Sequence, residues 1–515
     1  MGRPVPPLPS AAAPVLVVLL DSAECELLER WADDGTLPHL AALRRRARAW
    51  RVANRVDLLP ESLWPELTTG RSVARTGHHN AMGVLRTGSS TVTAVPWQEL
   101  DRLDHFWIWA DRAGKRAVVL DIAEAGLNSE SGAWQVQGFA VHNHFGPPRE
   151  SPREPLSGIV ERIGRASDRK CQDYGPSHAA REELLDDLLD GLRRKTELAL
   201  ELLGAAPWDL FCVSLSQAHC VAHELWHLHD EDDPRHDPAA PARLRTGIRS
   251  VYEALDRSLG RILATVGEGT TVLVLATHGM TRLGGAQDML PELLEGLGLG
   301  VGGRGRMRWA ARLPMWAKRL GRRLFNQAFL DRHRVGFYTR ISGFHGAAVL
   351  PLMNYRTGAV RLNLVGREPE GRIQPGGEAD EVMRRIVEAA SELVDERTGR
   401  PILMRATRAH EAFGEGYHAD LPDLFLEFRQ DLGPIDAARS ERLGRLVRPR
   451  LTHRTGDHTS HSRLWIAGPR TLPGERGGEP VECDLLDLAP TILHLSGVEP
   501  PPVMDGRSLL DQLFR

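Results

Sequence analysis

Three runs of consecutive apolar residues, each ending in a polar residue, set the pattern of this chain. Val15–Leu20 runs into Asp21, the segment 210–216 leads to His219 and His223, and Thr271–Ala276 runs into Thr277 and His278. Unbroken apolar runs of this length predict strands covered on both faces, as in a parallel sheet, rather than half-exposed strands with alternating polarity. Amphipathic helical patterns lie between them at 23–33 and 179–203, with a further strand at 116–121. Alternation of strand and helix predicts an α/β fold: a central, mostly parallel sheet flanked by helices. From 304 to 334 the pattern changes to Arg, Trp, Leu and Phe, and 345–430 holds short strands with one strong helix at 379–393. The core pattern resumes at 463–467 and ends in a helix near Pro490. The expected organisation is a core over 14–303, a basic lid segment with an inserted smaller α+β subdomain over 304–430, and a return to the core over 431–515.

Length supports this division, since 515 residues exceed one simple domain. A net charge of −3 argues against nucleic acid as a general partner. The ten Lys or Arg and single acid of 304–334 are interleaved with Trp309, Trp316 and Phe325. That composition suits either a lid packed over an anionic substrate or peripheral contact with an anionic membrane surface. Five cysteines, odd in number and without a C-x-x-C, point to a reducing, cytoplasmic setting and not to a disulfide framework. The first apolar run is too short to span a membrane and lacks the flanks of a signal peptide.

The candidate chemistry sits at the carboxyl ends of the strands, where open α/β sheets bind ligands. A spacing of four puts His219 and His223 on one helical face, and His227 continues that stripe. Asp21 suits either a metal ligand at a strand end or a helix cap. His278 and the distant His458, in Gly456-Asp457-His458, add two more nitrogen ligands if the fold brings them together. Asp457 is either a turn residue or a group that orients a ligand. Ser62, at the start of a helix beginning at Leu63, is the candidate nucleophile, with a capping role as the alternative.

These segments, with Trp64-Pro65-Glu66-Leu67-Thr68-Thr69-Gly70 and the closing stretch 487–509, resemble the alkaline phosphatase superfamily, in particular its type I phosphodiesterase/nucleotide pyrophosphatase branch. The resemblance spans nearly the whole chain. It implies a phosphoric ester hydrolase acting on small anionic phosphoesters, with two metals bridged by an aspartate and a Ser or Thr nucleophile. It places His223 and His458 at the first metal, and Asp21 and His278 at the second. Two positions depart from the family pattern: His219 and Thr277 stand where carboxylates are usual, and Pro60 stands at the usual nucleophile position.

Loss of two negative ligands raises the repulsion between two divalent ions. The expectation is therefore one strong site at His219, His223 and His458, a neutral set suited to zinc. A second, weaker metal would use Asp21 and His278, with help from Glu61 or the substrate. Ser62, two residues beyond Pro60, or a metal-activated water would attack phosphorus. Arg367, in a stretch resembling the family's substrate-side insert, is a phosphate contact or a surface ion pair, and Glu61 a second substrate contact. Two alternatives accompany the hydrolase: a catalytically reduced anion-binding interaction module, and a sulfuryl or phosphoryl transferase acting on a glycan or lipid.

Overall fold

A computed structural model describes residues 13–513 except 81–82, 141–146, 168, 301–342, 353, 355, 449–452, 470 and 472–479. The basic segment 304–334 therefore lies outside the described residues.

A nine-stranded sheet forms the centre of the molecule. Its strands are β1 (Val15–Leu20), β2 (Arg48–Ala53), β3 (Ala117–Leu120), β4 (Trp134–Gln137), β5 (Arg149–Ser151), β6 (Leu210–Leu215), β7 (Thr271–Ala276), β17 (Arg463–Ala467) and β18 (Val481–Asp484). The order is β18-β2-β17-β7-β1-β6-β3-β4-β5. Strands β7, β1, β6, β3 and β4 run parallel, whereas β17 and the edge strand β5 are antiparallel to their neighbours. Every residue of β1, β6 and β7 is buried. The pleat divides β1 between two cores. Leu16, Val18 and Leu20 face a cluster with Leu198, Val221 and Val251 from the helices His178–Ala205, Gln217–His229 and Gly247–Thr265. Val15, Val17 and Leu19 face a second cluster with Leu63, Ile108 and Ile492. Covering both faces is what the unbroken apolar runs require, so the α/β expectation and the mostly parallel sheet hold.

The smaller subdomain carries two antiparallel sheets. One, in the order β12-β13-β10-β9, joins β9 (Val349–Leu352), β10 (Thr357–Leu362), β12 (Leu403–Arg408) and β13 (Leu424–Phe428). The other joins β11 (Val394–Asp395), β14 (Ala437–Ser440) and β15 (Gly444–Val447). Helix Gly377–Ser391 packs with them in a separate apolar cluster that includes Ile386, Phe428, Ile435, Ala438 and Leu446. This corrects the boundary expected at 431. Strand β14 pairs with β11 and β15 with β14, and Ala438 and Leu446 join the subdomain's apolar cluster, so the chain rejoins the core with β16 (Gly456–Thr459) and β17. Local pattern could not reveal this, because the pairing partner lies about forty residues upstream.

Register explains why the site residues meet. Leu20 pairs with Leu215 on one side and with Ala276 on the other, so Asp21, Ser216 and Thr277 leave the sheet at one level. The ribbon β8 (Gly279–Arg282) with β16 then sets His458 opposite Met280. Gly456 permits its approach: a Cβ there would stand 2.2 Å from the Ala222 carbonyl oxygen of helix Gln217–His229.

Candidate active site

Helix Gln217–His229 starts directly after β6 and presents His219 and His223 one turn apart. His223 Nδ1 lies 2.8 Å from the Gly456 carbonyl oxygen. A carbonyl only accepts, so Nδ1 carries the proton and the Nε2 lone pair is turned inward. His219 Nδ1 lies 3.1 Å from Asp21 Oδ2, and the carboxylate fixes that ring in the same way. His458 Nε2 stands 3.3 Å from His219 Nε2 and 3.2 Å from His223 Nε2. Two nitrogens on one tetrahedral zinc, at Zn–N about 2.0–2.1 Å, stand roughly 3.3–3.4 Å apart. Two lone pairs thus converge on a third imidazole nitrogen, and a bound cation satisfies all three where a single proton cannot.

The backbone of His458 is held on both sides. Its N–H donates to Asp457 Oδ1 at 2.9 Å, and Arg356 donates to its carbonyl. Burial pushes the Asp457 carboxyl above its ordinary value. Asp457 thus holds the backbone of His458.

His278 belongs to the same enclosure but has different partners. The ligand atoms of His219, His278 and His458 lie within 4.8 Å of one another, which makes His278 an alternative third ligand to His223. Both of its nitrogens, however, meet hydroxyls: Nε2 lies 2.8 Å from Ser22 Oγ and Nδ1 lies 3.1 Å from Thr277 Oγ1. Burial drives its pKa down to about 4, so the ring is neutral. The set His219, His223 and His458 has the better donor chemistry, because the outer nitrogens of His219 and His223 bond to groups that leave Nε2 for a metal.

The remaining expected residues are placed as follows. Ser62 Oγ donates to the Leu59 carbonyl at 2.9 Å and reaches Glu66 at 3.5 Å, and among the described residues no hydrogen bond joins it to the histidines. Its hydroxyl thus closes the turn Pro60–Ser62, which does not supply the geometry of a nucleophile. Arg367 donates to Asp423 at 2.6 and 2.8 Å and to both oxygens of Glu368 at 2.9 Å. Of the two roles weighed for Arg367 the structure displays the ion pair, within the subdomain. Glu61 is buried and lines a cavity with His78, Asn80, Arg86 and Glu124. Thr68 and Thr69 hydrogen-bond back to Trp64 and Pro65 within their helix. His227, on the histidine stripe, meets Thr455 Oγ1 at 3.1 Å instead of joining the cluster.

Sequence reasoning missed Ser22 and the carbonyl of Gly456. A hydroxyl residue directly after the strand-end Asp21 was the available signal for Ser22, whereas the Gly456 carbonyl is visible only in three dimensions.

Glu66, on the helix beginning at Leu63, accepts from Val73 N–H at 2.8 Å and stands 3.3 Å from Arg55. Burial raises its carboxyl from 4.5 to about 7. Because the folded chain holds this proton more tightly than the unfolded chain, stability falls as pH rises from about 4.5 through about 7 and levels off above. Glu66→Gln is expected to abolish this dependence, which is on the order of 3 kcal/mol. Urea unfolding of both proteins at pH 5 and pH 8 measures it, and parallel pH profiles would contradict it.

A mostly parallel sheet covered by helices on both faces is an alkaline phosphatase-like fold. A family model for type I phosphodiesterase / nucleotide pyrophosphatase matches residues 15–453, and the chain belongs to that family. No curated protein sequence matches the chain. Among solved structures, wild-type alkaline phosphatase PafA is similar at a TM-score of 0.52 and 12% identity, over 98% of this chain and 100% of that one. Murine ectonucleotide pyrophosphatase / phosphodiesterase 5 gives 0.48 at 12% identity, over 98% and 100%. Phosphonoacetate hydrolase from Sinorhizobium meliloti 1021, in complex with phosphonoacetate, gives 0.49 at 14% identity, over 95% and 97%. Among the described residues no helix is long and apolar enough to cross a membrane.

Proposed function

We propose that this chain hydrolyses small anionic phosphodiesters or phosphomonoesters with one tightly held divalent ion, and that zinc suits its ligands best. The observation that carries this is the convergence of His219, His223 and His458 through Nε2, with 3.3 and 3.2 Å separations and two outer nitrogens already committed. All-nitrogen, neutral ligands favour zinc over magnesium or calcium. When bound, the ion supplies Lewis-acid stabilisation of the charge that develops on the phosphoryl oxygens.

The protein groups prepare that chemistry. Asp21 and the Gly456 carbonyl lock two ring orientations, and Asp457 and Arg356 fix the strand that carries the third. A second metal position would have to recruit Asp21, already bonded to His219, and His278, whose nitrogens face two hydroxyls. Thr277 adds no charge there, so any second ion is weakly held. Glu61, in the cavity with Asn80 and His78, suits substrate hydroxyls better than phosphate, because a carboxylate repels the anion.

Metal content and turnover test this together. Protein purified without chelator or histidine tag is expected to carry about one zinc per chain. It should hydrolyse bis(p-nitrophenyl) phosphate, lose that activity on chelation and regain it with zinc. Undiminished turnover after complete metal removal would overturn the proposal. A metal-free, inactive chain that still binds phosphate esters would be the anion-binding module instead.

A further inference from the structure

We propose that Glu24 is a positioning residue of the metal centre, one buried carboxylate that ties together the segments carrying Asp21, His278 and His458. The inference rests on the metal-dependent reading proposed above. Glu24 follows Asp21 in the turn after β1 and caps helix Cys25–Asp33, with its side chain buried.

Its two oxygens serve different parts of the site. Oε2 accepts the Met280 N–H at 2.8 Å and the Thr459 hydroxyl at 3.4 Å. Met280 lies just beyond His278 on β8, and Thr459 directly follows His458 on β16. Oε1 accepts the Glu26 N–H at 3.3 Å, which closes the first turn of the helix, and His461 Nδ1 stands 3.4 Å away. The Glu24 N–H in turn donates to the Tyr252 hydroxyl at 2.7 Å, from helix Gly247–Thr265. Both strands of the ribbon and the turn that bears Asp21 are thus held by one side chain anchored to the core.

The ribbon depends on such ties, because β8 and β16 form a sheet of two strands only, and a pair of strands is marginally stable by itself. The start of β16 is pinned to the site helix: the Thr455 N–H donates to the His223 carbonyl at 2.6 Å, and the Gly456 carbonyl accepts from His223. Arg356 holds the His458 carbonyl itself, and Glu24 holds the end beyond it. The fit is close, since a Cβ on Gly279 would stand 2.1 Å from Glu24 Oε2 and 2.4 Å from Thr459 Oγ1. A carboxylate suits the place because it accepts in several directions and donates in none, whereas an amide keeps one oxygen and turns N–H groups toward the remaining donors. With the tie removed, β16 is free to shift at its far end, and His458 Nε2 loses its 3.3 and 3.2 Å spacing to His219 and His223. Loss of a group that orients metal ligands is felt as metal affinity.

The experiment measures zinc affinity of the metal-stripped full chain by competition with a chromophoric chelator, for wild type, Glu24→Gln, Glu24→Ala and Asp256→Ala, with thermal midpoints alongside. Asp256 is the stability control: its carboxylate accepts the His39 and Leu40 N–H groups at 3.1 and 2.7 Å, at the start of helix Pro38–Arg44. Zinc affinity is expected to fall about tenfold in Glu24→Gln and about a hundredfold in Glu24→Ala. Asp256→Ala should lower the midpoint and bind zinc as wild type does. Unchanged affinity in both Glu24 variants, or an equal loss in Asp256→Ala, overturns the positioning role and leaves the hydrolase reading intact. A wild type that binds no zinc overturns the metal-dependent reading and this role with it. Should Glu24→Ala fail to fold, Glu24→Gln, which keeps the side-chain length and one acceptor oxygen, decides by the same criterion.

Discussion

His223→Ala is expected to strip the chain of its stoichiometric metal and reduce phosphodiester turnover by at least about a hundredfold, the largest functional effect among the metal ligands. His223 is fully buried, and its ring is held by the Gly456 carbonyl on a strand more than two hundred residues away in sequence. Without His223, His219 and His458 remain beside His278, whose two nitrogens face Ser22 and Thr277, so the replacement ligand is a poor one for an ion that prefers four donors. His227→Ala is the matched control. It lies on the same helical stripe one turn further along, but its ring meets Thr455, and burial lowers its pKa to about 4. Elemental analysis of the two variants should show metal lost in the first and retained in the second. Equal metal in both would refute the ligand assignment.

The largest stability effect is expected at Lys195. Its ammonium and the Asp121 carboxylate are both fully buried and stand 2.7 Å apart. Lys195 also donates to the Ser214 carbonyl at 3.0 Å, and Asp121 accepts from Phe139 and Ala140 N–H groups at 2.9 and 2.7 Å. The Ala140 carbonyl in turn accepts from Ser216 at 3.2 Å, at the start of the helix that bears His219 and His223. Lys195→Met leaves a carboxylate buried without its cation and should cost about 3–5 kcal/mol. Adding Asp121→Asn removes the stranded charge. Asparagine tolerates the left-handed φ of +62° at that position, so the double variant should recover part of the loss. Urea denaturation of the single and double variants measures both effects, and a single variant within 1 kcal/mol of wild type would show that the pair contributes little. The same variants test whether this tie supports the site, since a shifted Ser216 would also weaken metal retention.

Much of the core was legible because its signals are local. Val15–Leu20, Leu210–Leu215 and Thr271–Ala276 are apolar but for Ser214 and Thr271, and a strand buried on both faces demands such a composition. The helices near 23–33, 179–203 and 379–393 appeared within a few residues of the observed Cys25–Asp33, His178–Ala205 and Gly377–Ser391, since amphipathic periodicity is also local. The subdomain boundary was misplaced because Ala437–Ser440 carries no local mark of its partner Val394–Asp395. Ser62 illustrates the same limit within the site. Residue type and position beside a helix made it a nucleophile candidate, but its hydroxyl turns back to Leu59 and Glu66.

The sequence by itself determined the class of fold, the family pattern and the candidate ligands: an acid or a histidine after each central strand and a histidine pair four residues apart. These follow from side-chain chemistry, from unbroken apolar runs and from the 3.6-residue periodicity of helices, which need no knowledge of distant partners. Tertiary structure alone decided how those residues are used. The parallel register of β1, β6 and β7 brings their ends to one level, and the close passage of Gly456 carries His458 to the helix. Asp21 thereby becomes the partner of His219, and Ser22, held in a left-handed turn, meets His278. Hydrogen bonds between residues two hundred to four hundred positions apart depend on three-dimensional proximity, and only the folded chain creates it.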